Sequence, residues 1–444
     1  MARGGSVHRP REERWLWLLI AGALLVLRGP AFLANLRPRP DRAPDFFQEY
    51  SSARNWAQGL PVYTELDDAV RRYLGREVDH DRSSVFINAH PPAAVLLALP
   101  FSRMAFDRAF LAWNVASLLM LAACFGIVTR QLGVPFSAWS VGPVVVLLLL
   151  CHPLWEQLRQ GQLSLILLFL ITGTWAAERS GRPLLAGMLL GTALSIKLIP
   201  GFLLLYYVWR GQWRVVASGL GTLALVTLST ATLFGLDAYR TYLQEVLPEV
   251  QRFRAGWDNL SLWGFWSRLL DPGAEQALRF KTAPLVYSPL LARILIGASV
   301  FAVAGVVAWA THPGRPREEN DMTFGMATIA MVLISPIAWD HYFLLLLVPV
   351  VLCWLNLPAS RPWQVAFFII VGMMWSSAAA VLSWSGLGDD RAATPIASLG
   401  VFPVRFYALL GLFVLAASLA RTRSIHSYDV INKRILASQA RPAR

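Results

Sequence analysis

Apolar residues in this chain gather into runs close to the length that crosses a bilayer, about 20 residues, separated by short polar breaks. The runs predict helices over 15–34, 109–129, 138–153, 162–178, 183–196, 199–209, 214–235, 286–310, 322–338, 342–356, 363–384 and 400–420. The expected class is an all-α, polytopic membrane protein with about twelve transmembrane helices, both termini on one side. One transmembrane unit, 15–420, is flanked by polar tails 1–14 and 421–444, with no separate soluble domain. Its long polar breaks are a helical first outer loop, 35–108, and a second outer loop, 236–285. Two stretches fit this pattern poorly. Segment 91–104 is apolar but short, and reads as a helix lying in the outer interface. Segment 183–209 is too short for two ordinary spans and is broken at Lys197-Leu-Ile-Pro200, which is tolerated where broken helices line a protein or water cavity.

Composition supports a membrane class: 56% of residues are apolar, only 15% are charged, and there are 18 tryptophans. The net charge of +13 does not point to nucleic acid, because its arginines sit in short interhelical loops. Arg130, Arg179, Arg182, Arg210, Arg214, Arg315, Arg317 and Arg361 fall on one side, with both basic tails, against Arg159 and Arg391 on the other. Short-loop bias of this kind places the basic side in the cytoplasm, facing anionic lipid. The protein is thus expected in the inner (plasma) membrane as a multi-pass chain with its site facing the periplasm or exterior. The basic start before Trp15–Leu27 resembles a signal peptide, but Ala31-Phe-Leu-Ala34 is a poor cleavage site, so an uncleaved first span is expected. Cys124, Cys151 and Cys353 show neither metal-ligand spacing nor a disulfide framework.

With this topology the chemically capable residues share the outer face. Asp340-His341 lies between two apolar runs, where charged groups are expensive unless paired or wet, and so marks function. Asp45 follows the first span between Pro44 and two phenylalanines. It is a candidate general base or a helix N-cap. His90, in Asn88-Ala-His90-Pro-Pro92, is a ligand contact or an interfacial histidine. Gln162 and Ser164, after Gly161, bind sugar or cap the next helix. Lys197, at a helix break, suits a phosphate or snorkels to the interface. Trp257-Asp258-Asn259-Leu-Ser261 combines an interfacial tryptophan with two polar residues that an aromatic belt does not explain. There is no phosphate loop, dinucleotide fingerprint, H-E-x-x-H or cysteine cluster, so no soluble nucleotide, cofactor or dedicated metal is expected.

Taken in order, these segments resemble glycosyltransferase family 87, within the membrane-embedded GT-C class. The matching residues are Asp45-Phe, Tyr50 and Gly59-Leu-Pro61-Val-Tyr63; His90-Pro-Pro92; Gly161-Gln162-Leu-Ser164; Gly187 and Gly191 leading to Lys197-Leu-Ile-Pro200; Asp258-Asn259-Leu-Ser261; and Ser335-Pro336-Ile-Ala-Trp339-Asp340-His341-Tyr342. The family pattern often has Asn at Ser164 and Tyr at His90. The resemblance implies a GT-C fold and a polyprenyl-phosphate sugar donor, commonly the mannose form. It also implies a glycan or glycolipid acceptor on the outer face and metal-independent inversion, with Asp45 as base. His341 would join it in catalysis, and Lys197, Asp340, Asp258, Asn259, Gln162, Tyr50 and His90 would bind substrate. The competing classes are a flippase or transporter of lipid-linked sugars, a structural membrane subunit, and an enzyme using another sugar such as a pentofuranose or glucose. A transporter would be expected to carry internal repeats and midplane charges; no convincing repeat is seen.

Overall fold

The structure, a computed structural model, describes residues 11–39, 43–76, 87–134, 140–273, 284–311, 317–377, 380–381, 383 and 395–420. The expected tails beyond these bounds, and the loop arginines Arg315 and Arg391, lie outside the described residues. Among those described the fold is entirely helical, as the runs required. Five helices are long and apolar enough to cross a membrane: Trp15–Ala34, Phe106–Leu132, Trp213–Phe234, Pro289–Ala310 and Pro395–Ala420. A sixth arises if Val141–Leu150 and His152–Gln160, bent by 66°, count as one broken span. Every other expected span also meets helix, but in pieces too short to qualify alone, including Pro183–Ile196, Gly201–Trp209 and Leu347–Asn356. Leu27 and Phe301 are 77% and 79% exposed. Water would not tolerate such a surface on these helices, so it is a lipid-facing one.

The closest helix pairing joins Pro183–Ile196 to Trp213–Phe234. A Cβ on Gly191 would lie 2.3 Å from the Gly219 carbonyl oxygen, and one on Gly187 would lie 2.4 Å from that of Val215. Glycines four apart let the two backbones touch, the small-residue packing that replaces hydrophobic drive between membrane helices.

Three expectations change. Segment 91–104 is not a helix in the interface: Pro92–Val95 and Leu99–Phe101 are short turns, and Pro92 to Val95 are buried. Pro91 and Pro92 start the first turn, and Pro100 interrupts a continuous helix. Residues 154–160, expected as loop, belong to a helix started by His152-Pro153. The stretch 236–285, expected as a long polar loop, holds a chain of short helical turns from Leu236 to Ala255, followed by Leu262–Leu270. Within 35–108 the described residues include two helices, Phe46–Ala57 and Leu66–Leu74.

The helices end in two polar clusters. At one end, Arg179 pairs with Asp321, which also accepts from Trp175 Nε1 at 2.9 Å. Nearby, Arg210 meets Glu178 at 3.3 Å and Tyr206 meets Thr323 at 3.1 Å. Saturated in this way, the cluster ties helix ends together. The opposite end contains the residues singled out above.

Candidate functional site

Segment Pro336–Tyr342 is the hub of that end. It leaves Arg317–Ile334 at Ser335-Pro336 and re-enters the bundle as a 3-10 turn, Asp340–Leu346, packed against His152–Gln160 and Ser164–Arg179. Four distant stretches attach to it.

The 256–261 stretch is fastened by Asn259. Its Nδ2 donates to the carbonyls of Arg254 at 2.8 Å and Pro336 at 2.9 Å, and its Oδ1 accepts from the backbone N–H of Ser261 at 3.2 Å and Ala338 at 3.0 Å. Leu260 N–H adds a bond to the Ala338 carbonyl at 2.8 Å. The amide of Asn259 is fully buried and fully used, so it positions the stretch and has no valence left for a ligand. Next to it, Asp258 keeps Oδ1 buried with no hydrogen-bond partner. Burial, and then the charge of Asp340, push its carboxyl up to about 7 against the pull of Arg405 and Arg268. Arg268 is fully buried and donates to the Gly256 and Asn259 carbonyls at 2.7 Å each.

Asp340 is held at 2.7 Å by the buried Arg405 and lies 3.5 Å from His152 Nε2. It is therefore a paired carboxylate. Arg405 escaped the sequence reading although an arginine inside the apolar run 400–420 was a signal for function.

Lys197 leaves Pro183–Ile196 in extended backbone and sets its ammonium 4.5 Å from the Tyr342 ring centroid, a favourable cation–π placement. No described carboxylate pairs with it. His341 packs at 4.9 Å from the same tyrosine ring, and its buried Nε2 has no partner. Lys197, Asp340 and His90 all lie near enough to act electrostatically on His341. Among the described residues, a cation without a counter-ion lies beside an imidazole whose Nε2 has no partner, which makes a receptive place for an anion.

Asp45 occupies the N-cap position of Phe46–Ala57 but makes no side-chain capping bond. Its Oδ2 instead accepts from Gln162 Nε2, across 117 residues of sequence. The approach depends on Gly161, whose φ of +62° is left-handed and where a Cβ would sit 2.7 Å from that of Phe46. Trp113 completes the joint: it stacks on Phe46 at 4.5 Å and donates to the Gly161 carbonyl at 2.7 Å. The second Gln162 side-chain atom, Oε1, is buried without a partner, and so is Ser164 Oγ.

His90 is buried, with Nδ1 hydrogen-bonded to Glu49 and its carbonyl accepting from Tyr63 at 2.6 Å. Glu49 was missed, although it lies one helical turn after Asp45 and so on the same face. Tyr50 is fully buried among Phe46, Phe47 and Phe106, and its hydroxyl donates to the Met104 carbonyl at 2.8 Å. It belongs to the scaffold of the first loop and presents no atom to a ligand here.

Residues 88–336 match the family model for Glycosyltransferase family 87. Among curated relatives, a polyprenol-phosphate-mannose-dependent alpha-(1-2)-phosphatidylinositol mannoside mannosyltransferase of Mycolicibacterium smegmatis is 23% identical over 66% of this chain and 66% of its own. A polyprenol-phosphate-mannose-dependent alpha-(1-2)-phosphatidylinositol pentamannoside mannosyltransferase of Mycobacterium tuberculosis is 26% identical over 64% of each. An alpha-(1->3)-arabinofuranosyltransferase of Corynebacterium glutamicum is 25% identical over 55% of each. The chain thus spans between a little over half and just under two thirds of the length of these relatives. No solved structure matches it.

Proposed function

The chain belongs to glycosyltransferase family 87, and on that premise we propose that it is a membrane-embedded, inverting glycosyltransferase. It moves a sugar, mannose in our reading, from a polyprenyl-phosphate donor to a glycan or glycolipid acceptor on the outer face of a twelve-span GT-C unit in the plasma membrane. The observation that carries the proposal is the meeting, on either side of the Tyr342 ring, of a cation that pairs with no described carboxylate and an imidazole whose buried Nε2 has no described partner. Names of the relatives support the donor and suggest a phosphatidylinositol mannoside as acceptor class.

In this reading Lys197 and His341 receive the donor phosphate. The acceptor hydroxyl oxygen attacks the anomeric carbon from the opposite face. As that bond forms, the anomeric C–O bond to phosphate breaks, and the bonding pair leaves on polyprenyl phosphate, whose charge Lys197 offsets. The hydroxyl proton passes to Asp45, which Gln162 holds in place. One displacement with one base inverts the sugar and needs no covalent intermediate. Asp340, Asp258 and His90 orient the substrates, and Asn259 and Tyr50 hold the frame. A second reading is favoured by the partnerless Oδ1 and raised proton affinity of Asp258: Asp258 is then the base and Asp45 a sugar ligand. The arabinofuranosyltransferase relative supports a pentofuranose as the alternative sugar.

The test is incubation of the purified protein in lipid with a panel of radiolabelled polyprenyl-phosphate sugars. Transfer from the mannose donor supports the proposal. Transport of a lipid-linked sugar in liposomes with no transfer from any donor refutes it. Sidedness is read by cysteine labelling. Leu262 and Tyr50 are buried and unsuited to probes, whereas Gln58 and Ser180 are exposed. A probe at 58 should react from outside and one at 180 should not. The three native cysteines are buried and give little background.

A further inference from the structure

A cavity of about 170 Å³ opens between Leu262–Leu270 and the first turns of Pro289–Ala310. The donor-phosphate groups proposed above, Lys197 and His341, do not line it. The two helices are joined where the N–H groups of Leu285 and Ser288 donate to the Leu269 and Leu270 carbonyls at 2.8 Å each. The cavity therefore lies at the site's end of a membrane-crossing helix, where polar headgroups meet the apolar core.

Its wall has two characters. One part is ionic: Arg254, paired with Asp271 at 3.0 Å, and Arg293. Arg293 is exposed and pairs with no described carboxylate. Two guanidiniums and one carboxylate leave the rim one positive charge. The other part, Ile296 and Val300, runs along the spanning helix away from that rim. Snorkelling explains an exposed arginine at a helix end. It does not explain Ser267, which is fully buried in the cavity wall with a hydroxyl that has no hydrogen-bond partner. A buried hydroxyl left unpaired is costly, and here it faces a space with a net positive rim.

We propose that this cavity is a binding site for an anionic phospholipid of the surrounding bilayer, apart from the donor-phosphate groups Lys197 and His341. Its phosphodiester, with a single negative charge, lies between Arg254 and Arg293 and accepts from Ser267 Oγ. Its first methylenes follow Ile296 and Val300. The single charge matches the rim, and the apolar continuation suits an acyl chain, which a free phosphate lacks.

The experiment uses the full-length protein in nanodiscs of phosphatidylcholine doped with phosphatidylglycerol that carries a photoactivatable acyl chain. Crosslinked sites are mapped by mass spectrometry. Labelling should fall on Ile296–Val300 and be competed by unlabelled phosphatidylglycerol but not by phosphatidylcholine or inorganic phosphate. Arg293→Gln should lower the yield about fivefold, the usual worth of one basic residue near an anionic lipid surface. Arg293→Lys should keep most of the labelling, and Ser267→Val should reduce it. Equal labelling in Arg293→Gln, or equal competition by phosphatidylcholine, overturns the proposal. Preferential displacement by a polyprenyl-phosphate sugar also overturns it and gives the cavity to the donor. No readout depends on sugar transfer, so this site and the proposed activity fail separately.

Discussion

Asp45→Asn tests the proposed chemistry with the least disturbance of the fold. The carboxylate caps nothing and accepts from Gln162 Nε2. An asparagine has the same size, and with its amide turned to present oxygen it still accepts that bond. Gln162 stays partnered, so the joint of Gly161, Phe46 and Trp113 is preserved. What disappears is the capacity to take a proton. General base catalysis contributes about 10²–10⁴-fold, or about 3–5 kcal/mol of barrier, and turnover should fall by that factor. Asp45→Ala is a poorer probe. It leaves both side-chain atoms of a buried glutamine unpaired and should also lose about 1–3 kcal/mol of stability. The assay is transfer of radiolabelled sugar from the polyprenyl-phosphate donor by purified protein in nanodiscs, with donor binding and thermal unfolding measured on the same samples. Turnover within about threefold of wild type in Asp45→Asn, with a dead Asp258→Asn, would refute the assignment and move the base to Asp258; the threefold margin is under 1 kcal/mol of barrier.

Lys197→Ala removes the cation placed over Tyr342 and should weaken donor binding about 30- to 150-fold, the equivalent of a charge-assisted contact of about 2–3 kcal/mol; unchanged affinity in both Lys197→Ala and His341→Ala would show that the phosphate binds elsewhere. Asp258 carries a pH signature: faced by Asp340, Arg405 and Arg268, its carboxyl is raised from 3.8 to about 7, so between those values the folded state holds a proton that the unfolded state has lost. Stability should therefore fall as pH rises from about 4 to about 7, and Asp258→Asn should flatten that slope in thermal unfolding measured across the range. Gly191→Ala puts a methyl 2.3 Å from the Gly219 carbonyl oxygen, so Pro183–Ile196 and Trp213–Phe234 must separate; a loss of about 1–3 kcal/mol is expected, read as a lower unfolding temperature, and an unaltered one would contradict the close packing.

Some of this was decided by the sequence alone. Apolar runs near bilayer length, few charges and arginine in short loops require a helical membrane protein, because backbone polar groups in lipid must be satisfied within helices. The Lys197-to-Pro200 break and the Asp340-His341 pair were legible as candidates since charge is costly at those depths. The family followed from the order of these motifs. Tertiary structure decided how they meet. Pairing of Asp45 with Gln162 rests on a left-handed Gly161 under Phe46, and nothing in either local sequence encodes a partner 117 residues away. Arg405 was hidden in an apolar run until packing set it against Asp340. Tyr50 and Asn259 carry the same functional groups as sugar ligands, yet their hydrogen bonds are spent on Met104, Arg254, Pro336 and Ala338. Hydrophobic runs fix where a chain enters lipid, since that depends on local transfer energy. Whether a polar side chain is spent on the frame or left for a ligand depends on which backbone groups packing brings within about 3 Å, and only the folded arrangement sets that.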